Sequence, residues 1–172
     1  KKRNFKNAYD KLNKLSNLTN KDRFNLAILE SLKQYIYVFK EKKILNDKKN
    51  FGKLSIISET FQRCFIGDAS TDKYFNNLVY DDESNYTRYI FFYLSYLIEN
   101  NRTEDAKRIV GNLDYINTTL LLSQGKSWIE NQNSKKLIDV FSCKNPNDII
   151  SEFLFLISNI YSSQDNFEKS NF

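Results

Sequence analysis

A helix, a polar break and a returning helix recur along this chain at nearly constant spacing. The segment YTRYIFFYLSYLIE, residues 86–99, carries Ile90, Tyr93, Leu94 and Leu97 at the i, i+3, i+4, i+7 spacing of one helix face. Asn100-Asn101-Arg102 interrupts it, and a second run with Ala106, Ile109, Val110 and Leu113 follows. Thr103 stands where a cap belongs, and Glu104 and Asp105 fall in the first turn, where the helix dipole favours negative charge. The pattern returns with Leu121, Gly125, Trp128 and Ile129, the break Asn131-Gln132-Asn133, then Leu137, Ile138 and Phe141. It returns again with Leu154, Ile157, Ser158 and Tyr161, a break over 162–165, then Phe167 and Ser170. Leu97, Trp128 and Tyr161 sit before the breaks and Ala106, Leu137 and Ser170 after them, each series at intervals of 31 and 33 residues. Stepping backwards at this period reaches Tyr74 and finally Ala8. Self-similarity at 20–50 residues is the mark of stacked repeats, because one such unit cannot bury its apolar face alone.

Composition agrees. Four glycines and one proline in 172 residues leave little punctuation for tight β-turns and favour long helices. The local signals name the ends. Gly67 is placed to stop the helix carrying Leu54, Ile57, Phe61 and Phe65, since glycine accepts the left-handed conformation. Ser70 is placed to cap a short helix reaching Tyr80. Asn145-Pro146-Asn147-Asp148 combines a capping residue, a proline suited to the first helical position and an acid at the N-terminal dipole, so a helix starts there. A long helix is expected from about residue 21 to 43, capped by Thr19 or Asn20, and an acidic loop over 81–85.

The stretches NFKNAYDKLNKL, LLLSQGKSWIENQNSKKLIDVF and FLISNIYSSQDNFEKSNF carry a resemblance. Each places a small or apolar residue one helix-length before a polar turn and a buried position on the returning helix. In this the chain resembles the tetratricopeptide-repeat family. The resemblance implies an all-α fold, a right-handed α-α superhelix or solenoid of about five antiparallel helix hairpins. It implies units over 1–18 (second helix only), 21–50, 51–80, 84–113, 115–142 and 145–172 (truncated), in one solenoid fragment of a longer repeat chain. Two departures stand out: Leu137 and Tyr74 occupy the small-residue position, and no turn falls at Tyr35-Ile36-Tyr37, where the phase demands one. The family serves as a protein-binding scaffold without catalysis, and it lines its groove with the first helix of each pair. Carried onto this chain, one ring of the groove holds Glu59, Phe91, Leu122 and Phe155, and a second, four residues on, holds Arg63, Ser95, Lys126 and Asn159. Such a groove fits an amphipathic helix or extended peptide, with Phe91 and Phe155 as anchors. Uncapped repeat ends add the expectation of self-association.

The chain has no histidine, the commonest general base, so an enzyme is not expected. Gly125-Lys126-Ser127 lacks the earlier glycine of a phosphate loop, position 120 being Leu, and lies inside a helical run; Gly125 reads as a close-packing residue. No cofactor is expected, and Cys64 and Cys143, far apart and without a CxxC spacing, do not make a zinc site. They read as two reduced, buried thiols rather than a disulfide, which leans to a reducing, cytoplasmic setting. No apolar run reaches the roughly 18 residues that span a membrane. Frequent Lys, Asn, Ile, Phe and Tyr, with their AT-rich codons, point to a low-GC bacterial genome. Charge is uneven: residues 1–60 hold 15 Lys and Arg against 6 Asp and Glu, a net of +9, and the remainder nets −4. The alternative function is therefore a basic surface binding RNA or single-stranded nucleic acid through the N-terminal third, with Tyr35 and Tyr37 as stacking platforms.

Overall fold

A computed structural model describes residues 4–18, 23–45, 49–80, 87–113 and 119–163. Every regular element among them is helical: α1 (Phe5–Leu18), α2 (Arg23–Glu41), α3 (Lys53–Ile66), α4 (Thr71–Val79), α5 (Thr87–Glu99), α6 (Thr103–Gly111), α7 (Leu120–Glu130), α8 (Lys135–Val140) and α9 (Pro146–Ser163). The chain is all-α, and its helices begin and end within a few residues of where periodicity and caps place them. Pro146 opens α9 with Asp148 in its first turn. The caps proposed at Thr19 or Asn20, the acidic loop over 81–85 and the final repeat beyond residue 163 lie outside the described residues. Two caps differ. Thr103 is the first residue of α6 rather than its cap, and Ser70 precedes α4 without a side-chain hydrogen bond to it. Thr119 is the cap that was not anticipated: its hydroxyl accepts from the Leu122 amide at 3.2 Å.

One turn geometry recurs. α3 ends at Gly67 (φ 68°), with the Asp68 amide donating to the Arg63 carbonyl at 3.0 Å. α5 is followed by Asn101 (φ 60°), with Arg102 donating to Leu97 at 2.8 Å. α7 is followed by Gln132 (φ 58°), with Asn133 donating to Trp128 at 2.7 Å. Each is a left-handed residue followed by a six-to-one hydrogen bond, the arrangement that satisfies carbonyls orphaned at a helix end. The left-handed residues are 34 and 31 positions apart (67 to 101, 101 to 132), so this turn returns at nearly constant spacing.

The helices form two compact units, Lys1–Asp68 with Pro146–Phe172, and Ala69–Asn145. In the first, α1 and α2 run antiparallel, with Phe5 beside Phe39 (ring centroids 6.1 Å) and Tyr9 beside Tyr37 (6.4 Å). α2 and α3 run parallel: Gln34 bonds Gln62, Phe39 meets Phe65 at 4.8 Å, and Phe24 and Ala27 share a pocket wall with Phe51 and Gly52. This is the structural form of the missing turn at residues 35–37: α2 has no returning partner next in sequence. α9 supplies one from the far end of the chain. It packs antiparallel to α2, with Phe153 against Tyr35 (5.4 Å), Tyr161 against Phe24 (5.2 Å) and the Tyr161 hydroxyl donating to Asn25 Oδ1 at 2.8 Å. It also touches α3. In a simple solenoid each repeat touches only its sequence neighbours; this closure of α9 onto α2 and α3 departs from that rule.

In the second unit α5 is the central helix, packed by α4, α6, α7 and α8. The expected single apolar face is too narrow a description. Tyr89 through Ser95, with Leu97 and Ile98, are all buried, as befits a helix surrounded by others. Gly125 on α7 does pack closely, as anticipated: a Cβ there would lie 2.9 Å from Phe91 Cδ2 and 3.2 Å from Leu137 Cδ2.

Cys64 and Cys143 are both buried, and neither is free: each is disulfide-bonded. That overturns the expectation of two reduced thiols and removes its lean towards a reducing compartment. No described helix is long and apolar enough to cross a membrane.

The first unit holds a buried polar seam between α2 and α3. Gln62 Nε2 donates to Gln34 Oε1 (3.2 Å) and Ser58 Oγ (2.9 Å). The Tyr35 hydroxyl, fully buried beside it, faces Ser58 but makes no hydrogen bond of good geometry among the described residues. A buried hydroxyl left unpaired costs about 1–3 kcal/mol, so Tyr35→Phe is expected to raise stability by about 1 kcal/mol, or roughly 2–4 °C in Tm. Burial also pushes the Tyr35 phenol well above its ordinary value, with the Glu152 charge acting in the same direction and Ser58 opposing. The folded chain therefore holds a proton that the unfolded chain releases near pH 10. Stability falls as pH rises through and beyond that value, and the fall is shallower in Tyr35→Phe. A Tyr35→Phe variant less stable at neutral pH would show that the hydroxyl is bonded after all.

Candidate functional site

The eight residues expected to line a groove do not share one setting. On α5 and α7, Phe91 and Leu122 are fully buried in the second unit. Ser95 is buried too, its hydroxyl donating to the Phe141 carbonyl. These three are core side chains, and the expectation that they present a surface is corrected: α4, α6, α7 and α8 all pack against α5. Lys126 is mostly buried along its stem, with its ammonium 3.9 Å from Glu130. In the first unit Glu59 and Arg63 are half-buried one turn apart on α3 and bond each other at 2.6 Å, and Arg63 also reaches Asp68 at 3.2 Å. Phe155 and Asn159 are exposed one turn apart on α9. The tyrosines expected to stack on bases differ as well: Tyr35 is in the core and Tyr37 is half-buried against Tyr9.

The second unit carries instead an open cleft of about 500 Å³ along α4, α5 and α6. The turn at Asn101 builds it. The left-handed residue reverses the chain so that Arg102, just ahead of α6, faces the first turn of α4. There Arg102 Nη1 donates to both oxygens of Asp72 at 2.7 Å, and Nε donates to Asp105 Oδ2 at 2.7 Å. Asp105 also accepts from Arg108, one turn further along α6. The Tyr93 hydroxyl, from α5, donates to Asp72 Oδ1 at 2.8 Å. Both acids lie in first turns, Asp72 in α4 and Asp105 in α6, where the helix dipole favours them.

The electrostatics follow from this wiring. Hydrogen bonds to Asp72 and then Asp105 raise the Arg102 guanidinium further above its already high value. The bond from Arg102 holds Asp105 below the usual carboxylate range. Burial, and then the bond to Asp72, pushes the Tyr93 phenol up; burial, and then the Asp72 charge, does the same to Tyr96. Arg102 joins the two aspartates, and Arg108 at the rim supplies the second positive charge through its bond to Asp105. The rim is different. Tyr80 is 62% exposed, the Arg108 side chain 74%, and Asn76 and Asn112 are exposed beside them. Arg102-x-x-Asp105-x-x-Arg108 is a legible i, i+3 ladder. The Asp72–Arg102 pair, thirty residues apart, leaves no local trace, which is why this cleft was missed. No protein-family model, curated protein or solved structure matches the chain.

Proposed function

We propose that the chain is a non-catalytic protein-interaction module built from divergent helix–turn–helix repeats of the tetratricopeptide type, and that it holds a peptide segment of a protein partner in the α4–α6 cleft. The shared turn at Gly67, Asn101 and Gln132 supports the repeat reading and, with it, a superhelical stacking of hairpins. The observation that carries the function is the cleft's division of labour. Asp72, Arg102, Asp105 and Tyr93 brace one another, and Tyr80 and Arg108 stand out at the rim of the same concavity. Tyrosine and arginine are the residue types that dominate protein interfaces, and a rigid support lowers the cost of ordering them.

The test separates rim from frame. Tyr80→Ala and Arg108→Ala remove mostly exposed side chains, so each is expected to leave Tm within about 2 °C of the parent. Each is expected to weaken partner binding by about 10- to 30-fold, the value of an interface hot spot. Proteins recovered on the immobilised chain after nuclease treatment at moderate salt would be compared with those recovered on the double variant. An identical set on both would sink the cleft as the peptide seat.

A further inference from the structure

The first unit carries a second concavity of different chemistry. A pocket of about 370 Å³ opens between the start of α2 and the start of α3, lined by Arg23, Phe24, Ala27, Phe51 and Gly52. Phe24 and Phe51 are half-buried, so their rings form the wall and retain accessible surface. Gly52 lies at the lining with a φ of 66°, a conformation that a side chain rarely adopts, and its Cα faces open space. Arg23 at the rim, and Lys49 and Lys53 on either side of the Phe51–Gly52 wall, are exposed cations. Neither α2 nor α3 has an acidic residue in its first turn to compete for them.

The described residues around this pocket expose charge mainly of one sign. Among the described residues of this unit the exposed charged side chains are nine basic and two acidic: three lysines on α1, four cations on α2 and just after it, and two at the start of α3, against Asp10 and Glu41. Glu41 is itself bonded to Lys40. The inward-lying acids Glu30 and Glu59 are occupied by Lys33 and Arg63. The described residues of this unit expose mainly cations, and Arg23, Lys49 and Lys53 among them flank the aromatic-walled pocket.

We propose that the first unit binds single-stranded nucleic acid, one unstacked base entering the Phe24–Phe51 pocket and the flanking phosphates lying on Arg23 and Lys49. The volume falls within the roughly 300–1,000 Å³ of small-ligand pockets. Aromatic walls suit a base, whose face stacks whatever its sequence, and cations along the rim suit the backbone. A duplex keeps its bases stacked and cannot fill the pocket, and a lipid headgroup has no planar ring to offer it. This inference stands apart from the cleft of the second unit and does not depend on it.

The experiment uses the whole chain and a 5′-fluorescein-labelled U15 oligonucleotide, read by anisotropy at 50 and 200 mM salt. Binding is expected to weaken with salt. Arg23→Gln and Lys49→Gln are each expected to lower affinity and to reduce the slope of log K against log salt by about 0.7. Phe51→Leu keeps an apolar side chain and loses the ring; it is expected to weaken binding roughly 5- to 100-fold, the value of one base stack, with the salt slope unchanged. Phe51→Tyr, which keeps a ring, is expected to bind like the parent. Circular dichroism and thermal unfolding of each variant establish that the fold is retained. Tyr80→Ala and Arg108→Ala are expected to bind the oligonucleotide as the parent does, so failure of the cleft reading and of this one are told apart. Absence of binding at 50 mM salt would overturn the proposal. So would full affinity in Phe51→Leu, or equal affinity for a 15-bp duplex or for vesicles of 30% phosphatidylserine, since each would reduce the site to unspecific polyanion attraction.

Discussion

Replacing Phe91 by alanine is expected to cost about 3–5 kcal/mol, the range for emptying an aromatic site in a packed core, and to lower Tm by roughly 6–20 °C. The ring is fully buried, and it is gripped from the α7 side by the absence of a side chain at Gly125, where a Cβ would lie 2.9 Å from Phe91 Cδ2 and 3.1 Å from Cε2. The pair makes a sharper test than either residue alone. Gly125→Ala gains about 1 kcal/mol of helix propensity and loses about 1–3 kcal/mol to overpacking against Phe91 and Leu137. The net expectation is a loss of about 1 kcal/mol. With Phe91→Leu in place the conflict is relieved, and the same Gly125→Ala change is expected to stabilise by about 0.5–1 kcal/mol. Chemical denaturation of the four proteins closes the cycle. A Gly125→Ala effect of the same sign in both backgrounds would mean that the glycine serves something other than room for Phe91.

Phe91 also marks where sequence reading stops. Periodicity located α5 to within a residue or two because its apolar residues recur at helical intervals, and glycine and proline located the end of α3 and the start of α9 because their backbone chemistry is local. Periodicity describes one face. The groove carried over from the tetratricopeptide resemblance put Phe91 and Ser95 on an open face, off the stripe through Ile90, Leu94 and Leu97. Four helices meet at α5, and contacts such as Ser95 with the Phe141 carbonyl, forty-six residues away, are decided by tertiary packing. The same limit hid Asp72 with Arg102 and the seat of α9. Ion pairs and ring contacts at such separations carry no periodic signature, so the cleft became visible only when the turn at Asn101 had brought its sides together.

The double variant Phe153→Ala/Tyr161→Ala is expected to release α9 and, with it, the fold of the first unit. Phe153 is 1% exposed against Tyr35, and Tyr161 is 5% exposed against Phe24 while its hydroxyl holds Asn25. Each truncation carries about 3–5 kcal/mol. The two sites are eight residues apart, near opposite ends of the α2 interface, so their costs should nearly add. A sum of roughly 6–10 kcal/mol is comparable to the whole stability of a domain, about 5–15 kcal/mol. The physical reason for such dependence is topological. α2 and α3 run parallel without a returning helix between them in sequence, so the apolar faces that α9 covers have no local substitute. Hydrogen exchange is expected to show loss of protection in α2 and α3 together with α9. Phe155→Ala, on the same helix but 45% exposed, is expected to change stability by no more than about 0.5 kcal/mol. Tyr161→Phe, which keeps the ring and gives up only the bond to Asn25, should cost about 1 kcal/mol. If Phe155→Ala proved as damaging as Phe153→Ala, α9 would be rotated on its axis from the seat described, and the antiparallel packing on α2 would have to be redrawn.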